Sequence, residues 1–194
     1  MKDNILYENF SLENYSDEER QLILSSFKKI NFKKGEFLLK EGQKANAYWM
    51  VQEGFVRSYL IDFEGNDVST YFYSPPDVVI DWPSFFMHTP TKEYIQALTD
   101  CVCWELDFET FQQLFHSIEE FRERGRARLV KSYFDLKRHS TSLITDQAKE
   151  RYLRLVEEKP EIIQNVSLKH IASYLGMKAP SLSRIRKEMS GGNS

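Results

Sequence analysis

Apolar and polar positions follow three different patterns along the chain. Residues 11–30 predict a short helix, in which Ser16 and Glu19 have the spacing of a capping box. From 31 to about 106, short runs rich in aromatic and β-branched residues alternate with turn residues, which is typical of β-strands. From 107 onward the apolar positions recur with a helical period.

The middle stretch predicts an antiparallel sandwich or barrel-like β-roll, because many short strands follow one another at regular spacing. Gly54 interrupts the strand pattern, and FEGND at 63–67 is typical of a hairpin turn. Proline-containing breakers favour a loop over 74–93, with a short helix at SFFM, residues 84–87.

The helical stretch begins with a short helix at 107–115 and continues with a longer one from about 118 to 138. One seam along the longer helix steps by three or four residues and includes two small side chains, which permit close helix approach. Its members are Ile118, Phe121, Gly125, Leu129, Ser132 and Leu136. A second apolar strip contains Val130, Tyr133 and Phe134. We interpret the pattern as a dimer seam, the alternative being a core helix of one chain.

A further helix is predicted between a cap at Thr145 and a stop at Pro160. The segment SLKHIASYLGMKAPSLSRIRKEM then occupies 167–189. Its first apolar stripe predicts a two-turn helix with Ser167 as N-cap. Gly176 suits a left-handed position after that helix.

A second helix is expected to follow the glycine. Pro180 fits its first turn, where a missing N–H is tolerated, and Leu182 and Ile185 face inward. Two helices joined by a short turn with glycine predict a helix-turn-helix, whose second helix enters the DNA major groove.

Charge supports this hypothesis for the tail. The whole chain has a net charge of -3, yet residues 146–194 hold nine Lys or Arg against six Asp or Glu. An acidic body with a basic end is typical of a protein whose end faces nucleic acid. Arg184 can pair with guanine, whereas serines and lysines of the segment can bond phosphates. The candidate DNA-binding residues are Ser167, Lys169, Lys178, Ala179, Pro180, Ser181, Ser183, Arg184 and Lys187.

The remaining chemistry favours neither catalysis nor a metal site. Cys101 and Cys103 are too few for a structural zinc site and are expected to be small buried apolar side chains. The four histidines have no metalloprotease spacing, and neither a nucleophile elbow nor a phosphate-binding glycine loop is present. We therefore expect no enzyme activity, no catalytic residue and no cofactor. Without an apolar run of about 20 residues or a secretory signal, a cytoplasmic protein without membrane contact is expected.

The segment IASYLGMKAPSLSRIRKE resembles the C-terminal helix-turn-helix of the cyclic-AMP receptor and fumarate-nitrate (Crp/Fnr) family of transcription regulators. The upstream KGEFLLKEGQKANAYWMVQEGFVRSYLIDFEGND resembles the cyclic-nucleotide-binding β-roll of that family. The resemblance implies an α+β chain with a β-roll sensor domain at 1–117, a dimerisation helix at 118–140 and a DNA-binding domain at 141–194.

The family resemblance also implies function. It implies a homodimeric transcription regulator that binds double-stranded DNA, contacts RNA polymerase and carries an effector pocket in its β-roll. The base-reading positions of the family fall on Ala179, Pro180 and Arg184, of which only Arg184 can bond a base edge.

The chain departs from the nucleotide-binding members of the family. Asp81 stands at the position of the ribose-binding glutamate, and Thr91 stands near that of the phosphate-binding arginine. A phosphate without paired cations is costly to bury, so we expect no response to cyclic AMP. A pocket for another small molecule is expected at Asp81, Trp82, Ser84, Phe85, Thr91 and Lys92.

Winged members of the family continue into a β-hairpin, whereas this chain ends at SGGNS, so the wing is expected to be short, absent or truncated. An alternative function remains open at this point. Because Ala179 and Pro180 cannot read bases, the tail could belong to a ligand-sensing or protein-interaction module with a degenerate helix-turn-helix. Replacing Arg184 by alanine separates the two hypotheses.

Overall fold

The computed structural model describes residues 5–191, with side chains up to Met189. Eight antiparallel strands form two four-stranded sheets, in the orders β1-β8-β3-β6 and β2-β7-β4-β5. The strands are β1 Lys28–Phe32, β2 Phe37–Leu39, β3 Ala47–Glu53, β4 Val56–Ile61, β5 Asp67–Tyr73, β6 Val78–Val79, β7 Tyr94–Ala97 and β8 Cys101–Asp107. The expected antiparallel β-roll is therefore confirmed. Cys101 and Cys103 are buried within it, as expected, and burial raises the pKa of both thiols.

Helices lie before, within and after this β-roll. They are α1 Ile5–Phe10, α2 Asp17–Ser26, α3 Trp82–Met87, α4 Phe108–Ser117, α5 Glu119–Thr145, α6 Ala148–Glu158, α7 Pro160–Asn165, α8 Leu168–Tyr174 and α9 Ala179–Gly191, with a short 3-10 helix at Leu12–Asn14. Within residues 5–191, no helix combines the length and the apolar character needed to cross a membrane.

Two local predictions near the N-terminal end and the hairpin are confirmed. Ser16 and Glu19 form a reciprocal capping box at the start of α2. The β4–β5 hairpin turns over 62–66, where the Asp62 carboxylate accepts backbone hydrogen bonds from Glu64 and Asn66. Because these bonds favour the charged carboxylate, the pKa of Asp62 lies below its ordinary value.

The segment 74–93 contains more structure than expected. The short helix at its centre, α3, begins at Trp82, two residues earlier than the prediction. Asp81 is its N-cap and accepts a hydrogen bond from the Ser84 amide. Pro83 falls in the first turn, where no intrahelical donor is lost.

The long helix α5 has 27 residues and spans about 40 Å. It extends beyond the expected end at 138–140, so the domain boundary expected at 140/141 falls inside a helix. Thr145 was expected to cap the next helix, but it is the last residue of α5. Gln147 instead begins α6 with a capping box to Glu150.

Helices α6 to α9 form a C-terminal helical unit with its own apolar core. Buried side chains from all four helices meet in this core, namely Tyr152, Leu155, Ile162, Val166, Ile171, Ala172, Leu175, Leu182 and Ile185. One further member, Phe72, comes from β5 of the β-roll. The apolar faces expected for α8 and α9 are thus confirmed. The expectation of a short, absent or truncated wing rests on residues 190–194. Of these, residues 192–194 lie outside the described residues.

Candidate nucleic-acid interface and effector site

A four-residue turn joins α8 to α9. Ser167 caps α8 by accepting a hydrogen bond from the His170 amide, as expected. After the helix, Gly176 has a φ of 64°, and the Met177 amide donates to the Ala172 carbonyl at 3.0 Å. This bond from the second residue past the helix end is the Schellman arrangement.

The side of α9 that faces away from the apolar core is polar and basic. Arg184 is 77% exposed and forms a long ion pair, 4.0 Å, with Glu188 on the same helix. Exposed candidate DNA-binding residues are Ser167, Lys169, Lys178, Pro180, Ser183, Arg184 and Lys187, while Ala179 and Ser181 are half-buried. The basic side chains of α9 therefore face solvent rather than the β-roll.

Lys169 has a second role that the sequence did not indicate. Its ammonium group lies 2.9 Å from the Asp67 carboxylate of β5. This contact is part of a set that fixes α8 on the β-roll. We call Arg57, Asp67, Asp77, Lys159 and His170 the interdomain junction, since these residues connect the two parts of the chain.

The centre of the junction is the buried Arg57 of β4. Its guanidinium donates to Asp67 Oδ2 at 2.8 Å and to His170 Nδ1 at 2.6 Å. Because Nδ1 accepts this hydrogen bond, the proton of the neutral His170 ring lies on Nε2. Burial first, and then the positive charge of Arg57, hold the pKa of His170 below its ordinary value. His170 is half-buried because α8 packs against β5.

Lys159, at the end of α6, makes the other half of the junction. Its ammonium group donates to the Phe72 carbonyl at 3.0 Å and to Asp77 Oδ2 at 3.2 Å. Burial is the largest single influence and lowers the pKa of Lys159, but the charge interactions and hydrogen bonds of Asp77 and Tyr71 together outweigh it, so the pKa is raised. Nearby, the Ser74 hydroxyl donates to Glu161 at 2.9 Å. Charged and polar contacts between the β-roll and the helical unit thus lie around Phe72, whose ring packs in the core of the helical unit.

The expected effector stretch contains a hydrogen-bonded cluster of acidic and hydroxyl side chains. The buried Thr91 hydroxyl donates to the Asp81 carboxylate, and Thr70 donates to Glu93 at 2.9 Å. Burial, with a smaller contribution from the Asp81 charge, raises the pKa of Glu93. Two carboxylates in this position disfavour a bound phosphate.

The expected effector residues do not line one open site. Ser84 and Phe85 are buried, and Ser84 accepts a hydrogen bond from the Ala45 amide. Phe85 packs edge-on against Tyr48 and Phe111 in the β-roll core. Lys92 is exposed, and Trp82 stacks on Phe86 outside this core. The expectation of one shared pocket is therefore wrong. The polar side chains form hydrogen bonds within the protein, and the aromatic side chains pack against other rings.

Helix α5 presents different residues to its own domain and to solvent. Ile118 and Phe121 are buried in the β-roll core, at 3% and 2% exposure, so they are not available to a partner. Gly125 and Ser132 are half-buried. Outward-facing apolar residues, which we call the α5 strip, are Leu129, Val130, Tyr133, Phe134 and Leu136. The predicted seam therefore combined residues from two faces of the helix.

Comparison with known proteins agrees with this architecture. Residues 29–117 match the cyclic nucleotide-binding domain family. The chain is 27% identical over 116 residues to the fumarate and nitrate reduction regulatory protein of Yersinia pestis, a match that covers 59% of this chain and 44% of that protein. The chain spans less than half the length of the curated relatives that it matches.

Solved structures share the fold over most of their length. FixK2 from Bradyrhizobium japonicum superposes with a TM-score of 0.75 at 18% identity and 84% coverage of each chain. A transcriptional regulator of the Crp/Fnr family from Eubacterium rectale superposes with a TM-score of 0.72 at 17% identity, covering 94% of this chain and 88% of that one.

The class of protein follows from the β-roll and the domain match: residues 29–117 form a cyclic-nucleotide-binding-type domain, followed by a long helix and a helical unit. The structural neighbours described above share this fold at 17–18% identity.

Proposed function

We propose that the chain is a homodimeric, sequence-specific DNA-binding regulator of transcription. The observation that carries this proposal is the outward basic face of α9, because α8 holds the unit on the β-roll while Arg184 stays exposed. In a helix-turn-helix, the second helix enters the major groove and the first crosses the backbone. RNA polymerase as a partner is proposed from the family resemblance.

The roles of the basic and hydroxyl groups follow from their positions. Arg184 can make a bidentate contact with guanine, which specifies sequence. Lys178 and Lys187, at the two ends of the exposed face, can neutralise phosphates, as can the hydroxyl of Ser183 by hydrogen bonding. Because Lys169 is bound to Asp67, its contribution to phosphate binding requires that this ion pair be exchanged.

A dimer would place two such faces on one duplex. The α5 strip places five apolar side chains on the exposed side of a helix about 40 Å long. Two copies of α5 packed along this strip would bury it and orient two α9 helices toward successive major grooves, about 34 Å apart.

Fluorescence polarisation with the promoter region of the protein's own operon tests the proposal. Arg184→Ala should weaken specific binding at least about fivefold, since one good base contact is lost. Lys44→Ala, an exposed residue of the β-roll with the same loss of charge, should bind like the wild type. Affinity should fall steeply with salt because phosphate contacts release counterions. If Arg184→Ala binds as well as the wild type, the tail belongs to a degenerate module instead.

We further propose that cyclic AMP is not the effector. Asp81 and Glu93 place two carboxylates in the stretch where the family resemblance implies a nucleotide site, and residues 78–97 contain no arginine to balance a phosphate. A thermal shift assay should show no rise in melting temperature with excess cyclic AMP, since only a ligand bound to the folded state raises it. A concentration-dependent rise would contradict the proposal.

A further inference from the structure

A cavity of about 120 Å³ lies between α1, α3, α4 and α5 and shares Trp82 with the expected effector residues. Its walls are mainly aromatic. The rings that line it come from Phe10, Tyr48, Trp82, Phe86, Phe111, Phe115 and Phe121. An apolar cavity of about 150 Å³ binds benzene, so this smaller cavity has room for at most one ring.

One wall of the cavity carries cations from α5. Arg124, Arg126 and Arg128 all line it. Arg124 is paired with Glu120 at 3.0 Å and Arg126 with Glu123 at 2.7 Å. Two of the three charges are therefore neutralised by carboxylates of the same helix.

Arg128 differs from its two neighbours. Among the described residues its guanidinium has no carboxylate partner. It donates to the amide oxygen of Asn9 and lies 5.6 Å from the centre of the Phe10 ring. Burial lowers the pKa of Arg128, which shows that its charge is poorly hydrated. A desolvated cation without a paired anion favours binding of an anion.

A second polar residue lines the same cavity. Tyr48 contributes its ring to the cavity wall. Burial raises the pKa of Tyr48, while the charge of Arg128 opposes the rise. Tyr48 therefore keeps its hydroxyl proton, and both Tyr48 and Arg128 line the cavity.

We infer that this cavity binds a small aromatic carboxylic acid. The ring would occupy the aromatic walls, and the carboxylate would meet the Arg128 guanidinium, whose planar fork matches a carboxylate. The Tyr48 hydroxyl would donate one further hydrogen bond. The ligand is defined by this chemistry: one ring, a short linker and one negative charge.

The position of the cavity suggests how such a ligand would act, and this part rests on the proposed function. Leu129 lines the cavity and is also a member of the α5 strip, at 45% exposure. A ligand that orders Arg128 and Leu129 would therefore bear directly on the surface proposed to pair the two chains.

Isothermal titration calorimetry of the full chain with phenylacetate tests the inference. Phenylacetate should bind with a Kd of about 1 mM or tighter, which is within reach of ten non-hydrogen atoms. Its neutral analogue 2-phenylethanol has the same ring and a linker of the same length. It should bind with an affinity lower by about tenfold or more. No detectable binding, or equal binding of the two, would overturn the inference.

Two variants and one control locate the site. Arg128→Gln should weaken phenylacetate binding about tenfold or more, because the charge is lost. Arg122→Gln, on the same helix but outside the cavity, should bind like the wild type. Binding by Arg128→Gln with unchanged affinity would show that the acid lies elsewhere.

Gly125→Ala tests whether weaker phenylacetate binding could result from a loss of folding, because this variant should fill part of the cavity without destabilising the protein. A Cβ at Gly125 would lie 3.4 Å from Phe115, an ordinary contact, and would project among the cavity walls. Alanine is the better helix former, so the melting temperature should not fall. Phenylacetate affinity should nevertheless drop about fivefold or more. Unchanged affinity in this variant would contradict the site. These titrations contain no DNA, so their failure is distinct from failure of DNA binding.

Discussion

Gly176 shows at the scale of one residue why the turn between α8 and α9 needs glycine. Its φ of 64° is rarely adopted by other residues, and an added Cβ would lie 2.9 Å from Leu143 Cδ2 of α5. We predict that Gly176→Ala lowers the free energy of unfolding by about 1–3 kcal/mol. Urea denaturation of the purified variant measures this loss.

Gly42 provides the control for Gly176. It also has a positive φ, 83°, but an added Cβ would meet nothing within 4 Å. Gly42→Ala should therefore show the backbone strain without the steric contact and be the milder of the two substitutions. Equal losses of stability in both variants would show that the Leu143 side chain moves away from the added Cβ at no cost. The backbone strain of the positive φ would then account for the whole effect.

His170 makes the stability of the protein depend on pH. Its pKa in the folded state lies below its unfolded value of about 6.5, so the unfolded chain binds the proton more tightly. Stability is complete above about pH 6.5 and falls as the pH drops from there toward the folded pKa. Protonation removes the acceptor for Arg57 and adds a third positive charge beside Arg57 and Lys169, against one carboxylate, Asp67.

Denaturant titrations at about pH 7.5 and about pH 5.5 measure this dependence. We predict that the wild type loses stability between the two conditions and that His170→Gln, which cannot be protonated, loses less. His139 contributes with the same sign, since burial and then Arg151 lower its pKa. An identical pH dependence in the wild type and His170→Gln would contradict the role given to His170.

At the scale of elements, α5 is the test of self-association. Tyr133 lies at the centre of the α5 strip and is 61% exposed in the single chain. We predict that Tyr133→Glu shifts the protein toward the monomer, because a charge would be buried in the apolar contact. Sedimentation velocity over a range of concentrations measures the shift.

Lys131→Glu is the matched control on the opposite side of α5. Lys131 is exposed but lies about 160° around the helix from Tyr133. This variant also introduces a glutamate on the same helix, so it should associate like the wild type. Monomers in both variants would indicate a general effect of charge on α5. Dimers in both variants would show that the α5 strip is not the dimer contact.

Local patterns predicted most elements but not the faces of α5. The capping box at Ser16, the turn at Gly176 and the inward positions Leu182 and Ile185 all depend on neighbours in the sequence. A period of three or four also identified apolar positions of α5, yet it could not assign them to faces. Phe121 contacts Phe10 from another element, which local spacing does not encode.

At the scale of the whole molecule, Phe72 joins the two parts of the chain. It belongs to β5, is 2% exposed and packs in the core of the C-terminal helical unit, where its ring lies 5.3 Å from that of Tyr174. We predict that Phe72→Ala costs about 3–5 kcal/mol, as for other buried phenylalanines. Hydrogen exchange should show lost protection in α8 as well as in β5.

Phe63 offers the same substitution at an exposed position. It is 97% exposed at the tip of the β4–β5 hairpin, so Phe63→Ala should leave exchange and stability nearly unchanged. Loss of protection in β5 alone after Phe72→Ala would contradict the link between the two parts.

The interdomain junction could not be predicted from the sequence. Arg57 and His170 are separated by 113 residues, and Lys159 and Asp77 by 82. Each looks like an ordinary surface charge in its own segment, because only the folding of α8 onto β5 brings them together. The same limit applies to the cavity, since Arg128 and Tyr48 belong to elements of different type. The outward face of α9, by contrast, follows from local periodicity and was predicted.

Because Phe72 of β5 packs in the core of the C-terminal helical unit, the two domains cannot be recombined freely during evolution. A C-terminal helical unit fused to another sensor domain would have a cavity where the Phe72 ring packs, and Lys159 would lack its carboxylate partner. Successful exchange between such proteins would thus require that part of the fifth strand travel with the helices, or that the recipient offer a similar aromatic side chain at its edge.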